Sequence, residues 1–393
     1  MPELSFNIIE ITLLSALIVF FAVQLCFYWF SLAKTYYYLR SGKHLKHDDH
    51  NYSPVSVIMY VRGSGYDLKK VLPQVLNQKY PEFEVIVVCD GASFENEDQL
   101  SRLKSEYPNL YSTNVPEDTR NISRKKLGLT LGIKAARFVN LLFTEPDNTI
   151  RDENWISLMA SQFSEKRSVI IGLAAIRPRK GFLKKYMAYD YFFCNLQMLS
   201  FTISGHTYTA CGRNLGYKRK HFDEQKGFVN HRLLKQGEDD LFVNDIATRN
   251  NTVAELSPQS IVRFALDRID WERMKTDRAI TKRFYKRGPV AFWRFEKISR
   301  AGFYLSFVAC IAAGYPFDSL HCIFVPAAGL ILFLIRLVSL SFVINKTAGK
   351  LKLAKFYALL PIFDCYQMFS DTWFCFQGKF KTKENFTYRY EKR

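Results

Sequence analysis

The sequence predicts an α/β domain on a mostly parallel sheet with helices on both faces, flanked by transmembrane helices. Three observations lead there. Short β-branched runs, apolar throughout, recur between residues 54 and 175. Stretches with helical spacing of Leu and Val separate them. Long runs poor in charge stand at both ends of the chain. Strands that are apolar on both sides belong to sheets covered on both faces, as parallel strands with crossover helices are.

The elements follow in order. Ile11 to Ala33 is 23 residues without a charge, and about 20 apolar residues cross a bilayer as a helix. No basic segment precedes the run and it is long for a cleavable leader, so it reads as a retained anchor. Only Glu3 and Glu10 stand before it, whereas Lys34, Arg40, Lys43 and Lys46 follow. Positive flanks stay in the cytoplasm, which places the N-terminus outside and the following chain inside.

The middle of the chain, Asn51 to Arg300, carries the α/β pattern. "PVSVIMYV" (Pro54–Val61) and "FEVIVVCD" (Phe83–Asp90) read as strands, with a helix in "YDLKKVLPQVLNQKYP" between them. "SRKKLGLTLGIKAA" (Ser123–Ala136) reads as a helix, and "RFVNLLFT" (Arg137–Thr144) and "SVIIGLAA" (Ser168–Ala175) as further strands. Beyond it, Ala301–Phe317 and Ser319–Asn345, split at "YPFDS", predict a transmembrane hairpin whose second arm contains Arg336. Phe356–Phe376 is apolar but holds Pro361, Asp364 and Asp371, and predicts an interfacial helix before a basic tail. The expected segments are therefore 1–50 (anchor and basic juxtamembrane stretch), 51–268 (α/β domain), 269–300 (basic interfacial helices), 301–345 (hairpin) and 346–393 (interfacial helix and cytoplasmic tail).

Composition narrows the partners. At 48% hydrophobic and 16% aromatic the chain is too apolar for disorder. Its net charge of +18 implies an anionic partner. Much of that excess borders the apolar segments, where it meets lipid headgroups. No zinc-finger, helix-turn-helix or RNP-type pattern appears, so no nucleic-acid partner is expected. The eight cysteines are scattered without C-x-x-C spacing and read as apolar thiols.

In open α/β sheets ligands collect at the carboxyl ends of the strands. Asp90 ends the second predicted strand, and Glu145 and Asp147 follow a later one, so these acids are expected to face one crevice. Each has a plainer reading as a turn acid, and Glu238 and Asp239 as acids in a helix first turn.

Four stretches in order resemble the family 2 glycosyltransferases of the nucleotide-sugar-binding GT-A fold. They are "LPQVLNQKYPEFEVIVVCDGAS", "KKLGLTLGIKAARFVNLLFTEPD", "GRNLGYKRKHF" (Gly212–Phe222) and "GEDDLFVN" (Gly237–Asn244). The likeness runs from about Pro54 to Lys286 and is strongest to membrane-anchored bacterial members. It implies Asp90 on the nucleotide base, Glu145 near the ribose or metal shell, and Asp147 on a Mg²⁺ or Mn²⁺ ion. It implies Lys125 or Lys126 on phosphate, Arg62 in the nucleotide site and Asp239 as general base. Glu238, Asp240, Trp271 and Lys275 would lie on the acceptor side.

Such a chain is expected to move one sugar, with inversion, from a nucleotide donor (a UDP-sugar by default) to a lipid-linked or saccharide acceptor. It would do so at the inner membrane with the catalytic domain cytoplasmic. Three departures point the other way, to a non-catalytic GT-A-shaped scaffold. Gly63-Ser64 replaces the usual Asn-Glu after the first strand, Glu145 replaces the first Asp of D-x-D, and Met274 and Asp277 break the Gln-x-x-Arg-Trp-like motif. That last change, with few membrane helices, argues against a processive synthase.

Overall fold

The computed structural model describes residues 8–42, 52–63, 66–91, 94–116, 123–177, 179–313 and 320–380. Ser64 and Gly65, Lys43 and Lys46, the turn at 315–319 and the tail from 381 onward lie outside the described residues.

The chain starts with α1 (Ile8–Cys26), a π-helical stretch (Phe27–Leu32) and α2 (Ala33–Arg40). Then come β1 (Val55–Arg62), α3 (Leu68–Leu76), β2 (Phe83–Asp90), α4 (Phe94–Glu106) and β3 (Leu110–Asn114). α5 (Arg124–Ala135), β4 (Asn140–Thr144), β5 (Asn148–Thr149), α6 (Trp155–Ala160), β6 (Val169–Ile171) and β7 (Ala174–Ile176) follow. α7 (Phe182–Ile203), β8 (Leu215–Lys218), α8 (Arg219–Glu224), α9 (Asp240–Ile246), β9 (Thr252–Ala254), β10 (Val262–Phe264) and α10 (Arg268–Thr281) complete the α/β part. The chain continues as α11 (Arg287–Ala313), α12 (Leu320–Lys350) and α13 (Leu360–Phe380). Two compact units result: residues 38–286 with 373–380, and residues 8–37 with 287–372.

In the α/β unit a seven-stranded sheet runs β3-β2-β1-β4-β8-β6-β9. β1 pairs in parallel with both β2 and β4, and β2 with β3, while β8 is antiparallel to β4 and β6. The apolar runs explain this placement, since Val55, Val57–Met59 and Val85–Val88 are buried on both faces. Because β2 and β4 lie on opposite sides of β1, strand order reverses there. A crevice opens at such a switch point beyond the carboxyl ends. Register puts Arg62 beside Asp90 and Met59 beside Thr144, so the residues after β1, β2 and β4 share that edge.

The run Ser168–Ala175 does not form one strand. β6 joins the large sheet, and β7 joins a separate three-stranded sheet, β5-β10-β7. The break falls at Gly172, where a Cβ would lie 2.4 Å from Asn214 Cγ. Asn214 donates to Leu173 O at 3.0 Å and Ser260 O at 2.9 Å, and accepts from Trp155 Nε1 at 3.1 Å. A long-range side chain therefore decides where the strand splits.

In the helical unit α1, α11 and α12 pack around Leu17, Phe303, Cys310 and Val325. Arg336, the charge inside an apolar run, is fully buried. It pairs with Asp364 of α13 at 2.8 Å and reaches Gln24 Oε1 at 3.1 Å. Arg300 pairs with Glu296 at 2.8 Å and with Asp364 at 3.2 Å. Buried charges persist only when paired in this way. Leu360, Phe363, Asp364 and Gln367 are buried, so one face of the 360–372 part of α13 is core in this unit, while Tyr366 and Phe369 are exposed. The basic stretch 269–300 is not one segment. α10 belongs to the α/β unit, whereas residues 287–300 continue without a break into 301–313 as α11. Among the described residues, Ile8–Arg40 and Ile323–Lys350 are long and apolar enough to cross a membrane.

Candidate active site

The Thr144-Glu145-Pro146-Asp147 turn leaves β4 at the switch-point edge, closed by Asn148 N donating to Glu145 O at 3.1 Å. β8 lies antiparallel to β4 and brings the residues just before it alongside the turn. One of them, Arg213, grips both acids. Its Nη2 lies 2.9 Å from Glu145 Oε2 and its Nη1 bonds Asp147 Oδ1. Nη1 also donates to Asn148 Oδ1 at 3.2 Å, and the guanidinium stacks 3.9 Å above the Phe264 ring. Glu145 Oε1 takes a second cation, Lys125 Nζ, at 2.8 Å. Burial alone would raise the Glu145 pKa, but Arg213 and Lys125 outweigh it and bring it down to about 2.

The Glu238-Asp239-Asp240 triplet opens α9, and its three carboxyls face three partners. Glu238 Oε1 lies 2.8 Å from Lys125 Nζ, so one ammonium bridges the β4 turn and the triplet. Asp239 Oδ1 accepts from Asp240 N and Oδ2 from Gly212 N, both at 2.7 Å. A Cβ at Gly212 would lie 3.3 Å from Asp239 Oδ2, so glycine permits this close approach. Asp240 Oδ2 accepts from the Thr281 and Tyr285 hydroxyls, both at 2.6 Å.

Burial, followed by repulsion from Glu238 and Asp240, pushes the Asp239 carboxyl up to about 7, against the pull of Lys125 and the Gly212 N–H. Asp240 is also raised, chiefly by burial. Burial would lower the Lys125 pKa, but the acids around it hold it well above the ordinary lysine range. Tyr60, Lys125, Glu145, Gly212, Glu238 and Asp239 line a cavity of about 20 Å³, room for about one water. Glu238 Oε2 is buried and accepts no hydrogen bond among the described residues. A larger cleft of about 520 Å³, lined by Phe222, Phe228, Lys134 and Arg232, has Asp223 as its one acid.

Asp90 ends β2 with its carboxylate buried. Tyr60 Oη donates to Oδ2, Arg124 bonds Oδ1 at 2.5 Å, and Arg62 Nε stands 3.6 Å away on an exposed side chain. The sequence pattern alone does not mark Tyr60, Arg124 or Arg213 as site residues. Arg213 lies within the Gly212–Phe222 stretch and Arg124 beside the two lysines, but nothing local marks which cation turns toward which acid.

Three expected site residues are placed elsewhere. Lys126 is buried and its ammonium donates to the carbonyls of His231 (2.6 Å), Leu234 (2.9 Å) and Gln236 (2.8 Å). It latches the loop before the triplet rather than facing phosphate, and burial lowers its pKa to about 8. Trp271 and Lys275 are buried rather than on an open acceptor surface. Trp271 Nε1 donates to Asp190 at 3.2 Å and Lys275 Nζ lies 2.8 Å from the same carboxylate. Asp190 lies within α7 and is fully buried, so it requires a counter-charge.

Among the described residues no three His, Cys, Asp or Glu side chains converge on one point. A divalent ion shared with a ligand's phosphates needs fewer, one or two carboxylates. Asp147 meets that need, since its side chain is 32% exposed and its bond to Arg213 uses Oδ1. The local charge agrees. Among the described residues Glu145, Asp147 and Glu238 pair with Lys125 and Arg213, and an incoming diphosphate adds negative charge. The residues fit an oxygen-liganded divalent cation.

A mostly parallel sheet with a switch-point crevice, acids at the strand ends and an acidic triplet across from them fit the GT-A fold. Residues 56–225 match the model of the glycosyl transferase family 2. That match supports a family 2 glycosyltransferase domain there and, with it, sugar transfer from a nucleotide sugar. Among solved structures, a mannosyltransferase from Pyrobaculum calidifontis in complex with GDP-Man and Mn²⁺ aligns with TM-score 0.54 at 17% identity, covering 86% of this chain and 99% of that one. TarS 1–349 of S. aureus aligns with TM-score 0.40 at 15% identity, covering 86% and 93%. No curated protein matches the sequence.

Proposed function

We propose that this chain is an inverting transferase that moves one sugar from a nucleotide-sugar donor to a membrane-proximal acceptor, with Asp239 as general base. The observation that carries the reading is one small cavity shared by Asp239, Glu238, Glu145 and Lys125, with the Asp239 carboxyl brought up to about 7. A base with a pKa near working pH is suited to taking a hydroxyl proton. The step balances simply. Asp239 takes the acceptor O–H proton, and the acceptor oxygen bonds the anomeric carbon. The bond from that carbon to the diphosphate oxygen breaks, and its electron pair leaves with the nucleoside diphosphate. One displacement inverts the centre.

The buried, unpartnered Glu238 Oε2 is suited to accept a hydroxyl of the acceptor. Asp90, with Arg62 and Arg124 beside it, faces the nucleotide, and Lys125 faces the diphosphate. A bound Mg²⁺ or Mn²⁺ would supply positive charge to the leaving diphosphate, held by Asp147 with Glu145 at its edge. The two long apolar helices support a membrane location. The basic flank after the first of them supports a cytoplasmic face and a lipid-linked acceptor.

The test is calorimetric titration of the detergent-purified chain with UDP and GDP, with and without Mn²⁺. Metal-dependent binding that is lost in Asp147→Ala, with Asp239→Asn binding donor but not turning over, is the expected result. Absence of binding by any nucleoside diphosphate refutes the donor site and leaves the scaffold reading, with the carboxylates relics of the fold.

A further inference from the structure

Arg213 holds the two carboxylates that the donor site requires. Its two terminal nitrogens reach Asp147 Oδ1 and Glu145 Oε2, and its carbon stacks on Phe264. A divalent cation on either oxygen would stand against this guanidinium, and like charges at hydrogen-bond range repel strongly. The backbone at Arg213 is fixed independently of its side chain. Asn148 Nδ2 donates to Arg213 O at 2.8 Å, and Gly212 N is tied to Asp239. The side chain can therefore turn without moving the base. It is largely sheltered but open at one edge, 16% exposed, beside carboxylates that are 24% and 32% exposed. A guanidinium binds phosphate oxygens with the same two-pronged geometry it uses on carboxylates.

We infer that Arg213 is a resident counter-cation that keeps metal off Glu145 and Asp147 until a nucleoside diphosphate arrives, and then transfers to the diphosphate. Metal binding is thereby made conditional on nucleotide. The inference rests on the donor-site reading above but predicts an order of binding that the reading alone does not.

The experiment measures Mn²⁺ binding by electron paramagnetic resonance on the full detergent-solubilised chain, with no nucleotide, then with UDP or GDP. Wild type should take up Mn²⁺ only with nucleotide. Arg213→Gln should bind Mn²⁺ alone at least about tenfold more tightly than wild type, about 1.4 kcal/mol. Its nucleoside diphosphate affinity in Mn²⁺ should fall by a similar factor of about ten. Arg213→Lys keeps a cation that cannot span two carboxylates and should fall between the two. An unchanged melting midpoint in this variant separates its effect from misfolding. Equal Mn²⁺ affinity in wild type and both variants, with nucleotide binding intact, overturns the gate while leaving the donor site standing. If no nucleotide binds under any condition, the donor site and the gate fail together.

Discussion

Replacing Lys125 by Met removes the ammonium that Glu145 and Glu238 share, each at 2.8 Å. Lys125 also opposes the upward shift of Asp239, whose carboxyl stands at about 7. With the wild-type base, the ionised fraction climbs from about a tenth at pH 6 to about nine tenths at pH 8. Single-turnover rates should then rise about tenfold across that interval. An opposite charge within a few ångströms shifts a carboxyl by about 1–3 pH units. The smallest such change moves the midpoint of the variant to about 8. At pH 7 the ionised fraction then falls from about a half to about a tenth, roughly a fivefold loss, recovered near pH 9.5. The assay is nucleoside diphosphate release in a single turnover, from pH 5.5 to 9.5, so that product release does not mask chemistry. A flat wild-type profile between pH 6 and 8 would refute Asp239 as the titrating base. A Lys125→Met profile that superimposes on wild type after scaling would refute the electrostatic coupling.

Other consequences can be checked in the same preparation. Tyr285→Phe takes a donor from Asp240, which then holds a proton more readily and repels Asp239 less. The kinetic midpoint should move down by about half a pH unit, opposite in sign to Lys125→Met; an upward move would contradict the scheme. Lys126→Met leaves the carbonyls of His231, Leu234 and Gln236 without their donor. The melting temperature should drop by roughly 5–10 °C, and an unchanged value by calorimetry would show the latch to be idle. Asp364→Leu strips Arg300 and Arg336 of their shared carboxylate. It should destabilise the helical unit by about 3–5 kcal/mol, read as the unfolding midpoint in detergent, and wild-type stability would show that Glu296 and Gln24 suffice to hold the two arginines.

Much of the fold was legible locally. The apolar runs around Ile58 and Ile86 and the helical spacing of 68–76 made a sheet covered on both faces the only way to bury them. Acids placed after such strands fall at the ligand edge, because a parallel strand's carboxyl end is fixed by chain direction. Asp90, Glu145 and Asp147 therefore reached that edge from sequence pattern alone. The single strand read over Ser168–Ala175 was not legible in the same way, since its split depends on Asn214, more than forty residues later.

Sequence also determined the chemical inventory: an acidic triplet, a run of cations at 124–126 and an arginine inside a long apolar segment. Tertiary structure decided what each group faces. Lys125 and Lys126 are adjacent and identical, yet a helix turns successive residues about 100° apart, so one bridges two acids and the other latches a loop. Trp271 and Lys275 carry the residue types of a binding surface, but Asp190, from a helix some eighty residues earlier, draws both inside. Arg213 meets Glu145 and Asp147 because β8 runs antiparallel to β4. Charge pairing is set by distance in space, and a single sequence lists the charges without the distances.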